Sequence, residues 1–133
     1  MSARIFLSFS GNAKEALNYY TKVFGLEEPE IMTYGDAEKY GEKFPESVHD
    51  LVCYSSIKIG ETVIMIGDET EKEVTLGDNF TIVYMFEDVE ALKKVHHELA
   101  KKSEVITNLE KTFWSEAFSA IKDPFGIVWN LSM

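Results

Sequence analysis

With 133 residues, 45% of them hydrophobic, the chain is long enough for one domain with a buried core. A net charge of -10 repels phosphate backbones and anionic bilayer surfaces, so neither nucleic acid nor a membrane is an expected partner. The one cysteine, Cys53, can form no intramolecular disulfide and suits a reducing, cytoplasmic setting. No apolar run approaches the ~20 residues that span a bilayer, and the start of the chain lacks signal-peptide character.

In chain order, Ile5 to Phe9 reads as a strand, broken by Ser10-Gly11-Asn12. Asn12 is placed to cap a helix, with Glu15 in the capping-box position three residues on. Ala13, Ala16, Leu17, Tyr20, Val23 and Phe24 form its apolar stripe, and Gly25 stops it. Residues 30–34 are predicted as a strand. Residues 35–48 are polar and read as a loop that Tyr40 and Phe44 would fold over a pocket. Residues 51–59 and 62–67 make a hairpin across Gly60-Glu61. The acidic stretch 68–78 reads as a loop dividing the chain. Then follow a strand over 80–86, a helix capped by Asp88 with the stripe Val89, Leu92, Val95 and Leu99, and strands over 104–110, 117–122 and 127–131.

Strand, helix and three strands thus appear twice. The expectation is a single α+β domain, 1–133, of two βαβββ modules at about 1–68 and 79–133. One helix per half disfavours a doubly wound parallel sheet. Runs such as Val63-Ile64-Met65-Ile66 predict strands covered on both faces, by the helix on one and by a cleft or subunit contact on the other.

The motifs Leu7-Ser8-Phe9 with Gly11-Asn12, Ala16-Leu17, Tyr19-Tyr20 and His49 lead to a closing signature. This is Thr112-Phe113-Trp114, then Asp123-Pro124-Phe125-Gly126 and Trp129. In their order and spacing, over nearly the whole chain, they resemble the vicinal oxygen chelate superfamily of glyoxalase I, extradiol dioxygenases and bleomycin-resistance proteins. The match is to its PhnB-like branch, often labelled as related to a demethylubiquinone methyltransferase. The resemblance implies two modules around a cupped mixed sheet with one helix per module on the outer face, and a homodimer. It also implies a divalent metal held by one ligand from each of four strands. Those positions align with Ile5, Met65, Thr81 and Asn130. Ile5 cannot ligate, Met65 prefers soft metals, and a one-residue slip to Arg4, Ile64, Ile82 and Trp129 is no better. No metal and no other cofactor is therefore expected.

Of the titratable candidates, His49 is either a general base or ligand anchor at the cleft mouth, or a strand-capping residue that fixes the preceding loop. Glu116, among Phe113, Trp114 and Phe118, either moves a proton or faces water. His96 and His97, adjacent on a helix, cannot chelate one ion together and read as surface residues. Cys53 reads as a buried thiol, and Asp123 as a turn residue. The expected ligand-binding residues are Phe9, Met65, Thr81, Met85, Trp114 and Asn130. There is no P-loop, no nucleophile elbow and no Gly-x-Gly-x-x-Gly, so a methyltransferase reading has no motif behind it. The function expected is binding of a small organic molecule. The alternatives are a glyoxalase-type enzyme, metal-dependent or using His49 with Glu116, and a drug-sequestering protein.

Overall fold

Each half of the chain builds its own four-stranded sheet, and the two sheets share one topology. The computed structural model describes residues 1–133 and divides into two units, Met1–Thr75 and Leu76–Met133. Unit 1 contains β1 (Ile5–Phe9), α1 (Ala13–Phe24), β2 (Ile31–Thr33), α2 (Tyr34–Ala37), β3 (Val52–Ile59) and β4 (Thr62–Asp68). Unit 2 contains β5 (Thr81–Met85), α3 (Val89–Ala100), β6 (Glu104–Glu110), β7 (Phe118–Lys122) and β8 (Val128–Ser132). The strand orders are β1-β4-β3-β2 and β5-β8-β7-β6. In each unit the first strand runs parallel to the last, and the other pairings are antiparallel. The fold class is α+β, as the element order predicts.

Each sheet has a helix face and an open face, and side-chain alternation sorts residues between them. In unit 1, Leu7, Phe9, Ser55, Ile57, Ile64 and Ile66 are buried on the helix face with Ala13, Ala16, Leu17 and Tyr20 of α1. In unit 2, Ile82, Ser119, Ile121, Trp129 and Leu131 pack beneath Leu92, His96 and Leu99 of α3. The open faces are half-covered: Val63 and Met65 are only partly buried beside fully buried Ile64 and Ile66.

Three local expectations are corrected. The strand predicted over 30–34 closes at Thr33, because Thr33 and Asp36 form a reciprocal capping box that starts α2. The helix predicted to be capped by Asn12 and Glu15 has no side-chain cap of its own. Its first N–H, that of Ala13, donates instead to Asp68, 55 residues away. Asp68, expected in an acidic loop, is the last residue of β4 and only 4% exposed. Its Oδ1 accepts from Gly11 N (2.9 Å) and Ala13 N (3.0 Å), and its Oδ2 from Val52 N (2.9 Å). One carboxylate thus ties α1, β3 and β4 together, with its charge at the positive end of the helix. The second helix does follow its local signal, since Asp88 Oδ1 accepts from Glu90 N.

The third correction concerns His96, which faces the core rather than the surface. Its Nδ1 shares a 3.0 Å hydrogen bond with Ser119 Oγ of β7, both residues being buried. Burial, and then the adjacent His97, hold the ring below its ordinary pKa. In the unfolded chain the group titrates near about 6.5. Above that pH both states are neutral at this site. Below it the unfolded chain takes up a proton that the folded chain resists, so stability falls on acidification. Urea denaturation from about pH 7.5 to about pH 5 checks this against His96→Gln. The variant is expected to lose less stability across that window, and parallel slopes would refute the assignment.

Candidate functional site

The open face of unit 1 is built from alternate residues of its four strands. Phe6 of β1 lies beside Met65 of β4, which lies beside Ser56 of β3. Ser8 lies beside Gly67, and Tyr54 beside Met32 of β2. Phe6 is 49% and Tyr54 37% exposed. Gly67 explains how Phe6 is seated. A Cβ there would stand 3.1 Å from the Phe6 ring and 2.9 Å from the Cys53 carbonyl oxygen, so only glycine lets the ring lie close to the sheet. A flat apolar surface of one aromatic ring and one thioether results, with Ser8 and Ser56 hydroxyls at its margin.

The open face of unit 2 carries Thr81, Val83 and Met85 of β5 beside Val128, Asn130 and Ser132 of β8. Phe118, Ala120 and Lys122 of β7 complete it. Asn130 sits between Val83 and Ala120, and Met85 is 61% exposed. Trp114 lies in the turn between β6 and β7, 55% exposed, in edge-to-face contact with Phe113 and Phe118. The turn is held rigidly: Ser115 N donates to Thr112 Oγ1, Ser115 Oγ donates to the Ala117 carbonyl, and Met133 N donates to Ser115 Oγ.

Met65, Thr81, Met85 and Asn130 therefore stand on open faces, and Trp114 is exposed beside one. Phe9 stands elsewhere, 4% exposed on the helix face of its sheet. The neighbour that does face out is Phe6, and Tyr54 joins it. Sequence reading missed both, because a run of apolar residues on a two-sided strand carries no alternation to mark its faces. Ile5 likewise faces α1, paired with Ile64, so it and Met65 do not share a side.

His49 closes the loop over 38–49. Its Nε2 donates to the Phe44 carbonyl at 2.9 Å and lies 3.4 Å from Glu38 Oε2, and its own carbonyl accepts from Gly35 N. Glu38 also accepts from Phe44 N, which holds its carboxyl below the usual carboxylate range, with His49 adding to the effect. Phe44 packs edge-on against Tyr34 at 4.9 Å, and Tyr34 donates to the Asp68 carbonyl at 2.7 Å. Burial, then the nearby Cys53, raises the Tyr34 hydroxyl above its ordinary pKa. Glu116 is exposed in its turn. Asp123 serves its turn, as expected: Oδ1 accepts from Phe125 N and Ile127 N, and Oδ2 from Trp129 Nε1.

The divalent metal implied by the resemblance can be tested against these residues. The register neighbours on the open faces are Phe6 with Met65 and Val83 with Asn130. Neither pair offers the carboxylate or imidazole donors a hard cation needs. No three His, Cys, Asp or Glu side chains come together anywhere in the structure. The residues present do not fit the metal. No helix is long and apolar enough to cross a membrane.

Two βαβββ units, each with its first and last strands parallel at the centre or edge of a four-stranded sheet, define a two-module glyoxalase-type protein. The chain belongs to the Glyoxalase/Bleomycin resistance protein/Dioxygenase superfamily, whose family model matches residues 5–131. It is 25% identical over 138 residues to Protein YjdN of Escherichia coli (strain K12), an alignment covering 96% of this chain and 92% of that protein. Among solved structures it is similar to protein PA1353 from Pseudomonas aeruginosa, with a TM-score of 0.83, 23% identity, and coverage of 98% of this chain and 97% of the other. The PhnB protein from Bacillus cereus matches with a TM-score of 0.77 and 24% identity over 99% and 98% of the two chains. These two likenesses concern the fold, and the PhnB-like resemblance read from the motifs agrees with them.

Proposed function

We propose that the protein binds a small, flat or flexible organic molecule on the open faces of its sheets, without the superfamily's divalent metal, and acts as a homodimer. The observation that carries this reading is the Phe6 ring seated over Gly67 beside Met65. An exposed aromatic ring and thioether on a rigid sheet, with Ser8 and Ser56 at the edge, suit a mostly apolar ligand with a few hydrogen-bonding atoms. Asn130, Thr81 and Met85 offer the same mixture on the second sheet, with Trp114 beside it. Phe9, on the helix face, would act by supporting β1 rather than by touching a ligand. The exposed Phe80, Val83, Met85 and Ile106 of unit 2 support a subunit contact.

A fluorescence or thermal-shift screen of aromatic and thioether-compatible ligands tests the proposal. A hit is expected to bind equally well with and without a chelator. Phe6→Ala is expected to weaken it about tenfold or more, the scale of losing one stacked ring, while leaving stability nearly unchanged because Phe6 is half exposed. A ligand whose binding requires added metal would sink the metal-free reading. A clean monomer by light scattering at micromolar concentration would sink the dimer.

An acid/base enzyme using His49 is less well supported. Its Nε2 proton is already committed to the Phe44 carbonyl, which makes the ring a fastener for the 38–49 loop.

A further inference from the structure

The two sheets differ at one place, and the difference leaves a groove. In unit 2, β6 accompanies β7 to its end, with Glu104 directly opposite Lys122. In unit 1 the corresponding pairing stops early. β2 meets β3 only from Ile31↔Ser55 to Thr33↔Val52, while β3 continues to Ile59. The cause lies in the sequence. Continuing the antiparallel register would set Pro29 opposite Ile57, and proline has no N–H to give to a ladder. The chain bows away instead. Its last tie is Ser55 Oγ donating to the Glu30 carbonyl at 2.8 Å.

Between the bowed segment and β3, reaching over the strand to Val63 of β4, lies a half-open cavity of about 470 Å³, within the range of small-ligand sites. Its charged lining is Lys58 on one side and Glu27 and Glu28 on the other, and its apolar lining includes Leu26, Pro29 and Val63. Lys58 holds the same register position as Lys122: each stands opposite a valine of the adjoining strand, Val63 or Val128. They are the only basic residues in the eight strands. In unit 2 a strand carboxylate faces the lysine. In unit 1 the backbone that would have carried one has been displaced.

We infer that this groove binds a short, extended, zwitterionic peptide of about dipeptide size, in the place that β6 fills in unit 2. The free edge of β3 over 56–59 supplies backbone donors and acceptors, as in strand addition. Lys58 takes the peptide's carboxylate, and Glu27 and Glu28 take its ammonium group. An apolar side chain rests against Leu26, Pro29 and Val63. The groove meets the Phe6 surface at Ser56 and is otherwise lined by other residues, and the inference stands without the ligand proposed there.

The test uses the full chain, nitrogen-15 labelled, titrated with L-alanyl-L-leucine and with its N-acetyl and C-amide forms. Saturable shifts are expected in residues 26–28 and 56–60. Neutralising either terminus is expected to weaken binding about tenfold or more. Lys58→Met, at an exposed position, should abolish discrimination between the free acid and the amide. Pro29→Val, which restores a ladder N–H, should close the groove and weaken every form, while Phe6→Ala should change nothing. Absence of saturable shifts there by about 10 mM dipeptide would overturn the inference. Indifference to both termini, or unchanged affinity in Pro29→Val, would overturn it equally.

Discussion

Asp68→Ala is expected to lower stability by about 3–5 kcal/mol, although the residue lies outside every sequence motif. The carboxylate accepts three backbone N–H groups, from Gly11, Ala13 and Val52. Ala13 and Val52 are both 0% exposed, so removing the acceptor strands two donors where no water reaches them. Each such donor costs about 1–3 kcal/mol, and losing a helix N-cap costs about 1 kcal/mol more. For a chain of this size the midpoint of thermal unfolding should fall by about 10–18 °C. Asp68→Asn keeps one acceptor oxygen but turns an amide group towards a donor, so it should fall between wild type and alanine. Asn12→Ala supplies the contrast. If the cap is Asp68, this change at the N-cap residue should cost less than about 0.5 kcal/mol, as for an ordinary surface site. Urea denaturation of the three variants decides the matter. A large loss in Asn12→Ala with a small one in Asp68→Ala would reverse the assignment.

The second large effect is expected at Trp129, the largest fully buried side chain. Trp129→Ala removes it from between α3 and the sheet and should cost about 3–5 kcal/mol, the range for aromatic truncation in a core. Trp129→Phe separates packing from hydrogen bonding. It keeps a ring but loses the Nε1 donation to Asp123 Oδ2 at 2.9 Å, a bond to a charged acceptor worth about 1.5–3 kcal/mol. Asp123 also organises the turn before β8 through Phe125 N and Ile127 N. Gly126 at the turn's end has φ 87°, which only glycine adopts without strain. Combined with Asp123→Asn, Trp129→Phe should therefore be less than additive, which a double-mutant cycle measures. Fluorescence gives an independent check. With Trp129 gone, emission comes from Trp114 alone, 55% exposed, and should shift to the red. Strictly additive losses would separate the tryptophan from the turn.

The repeated architecture was legible because its signals are local. The stripe Ala13, Ala16, Leu17, Tyr20 and Val23 is a helix whatever surrounds it, and Gly60-Glu61 between two apolar runs is a hairpin. Asp123-Pro124-Phe125-Gly126 is a turn by the chemistry of its own four residues, and the structure gives Asp123 that role. The motif resemblance placed the chain in the superfamily that the family model independently matches over 5–131.

The site was less legible. Ile5, Phe6 and Leu7 are all apolar, so no polar neighbour says which of them faces the helix. One residue of displacement then exchanges the half-buried Ile5 on the helix side for the exposed Phe6. His96 misled for a related reason. On a helix flanked by Lys94 and Glu98 it looks like a surface residue, and only Ser119, 23 residues away, gives the ring a buried partner.

What the sequence by itself determined was the order of the eight strands and the two long helices, their lengths within a residue or two, and the class of fold, while the short helix α2 fell in a stretch read as loop. These follow from propensity, periodicity and turn chemistry, whose range is a few residues. What only the tertiary structure decided was which side of each strand faces out, that Asp68 caps α1 across 55 residues, and that a groove lined by Pro29 lies beside β3. Those outcomes depend on strand register and on the pairing of buried donors with distant acceptors. Both are set when separate elements meet, since a buried N–H without a local partner must take whichever acceptor the packing brings to it.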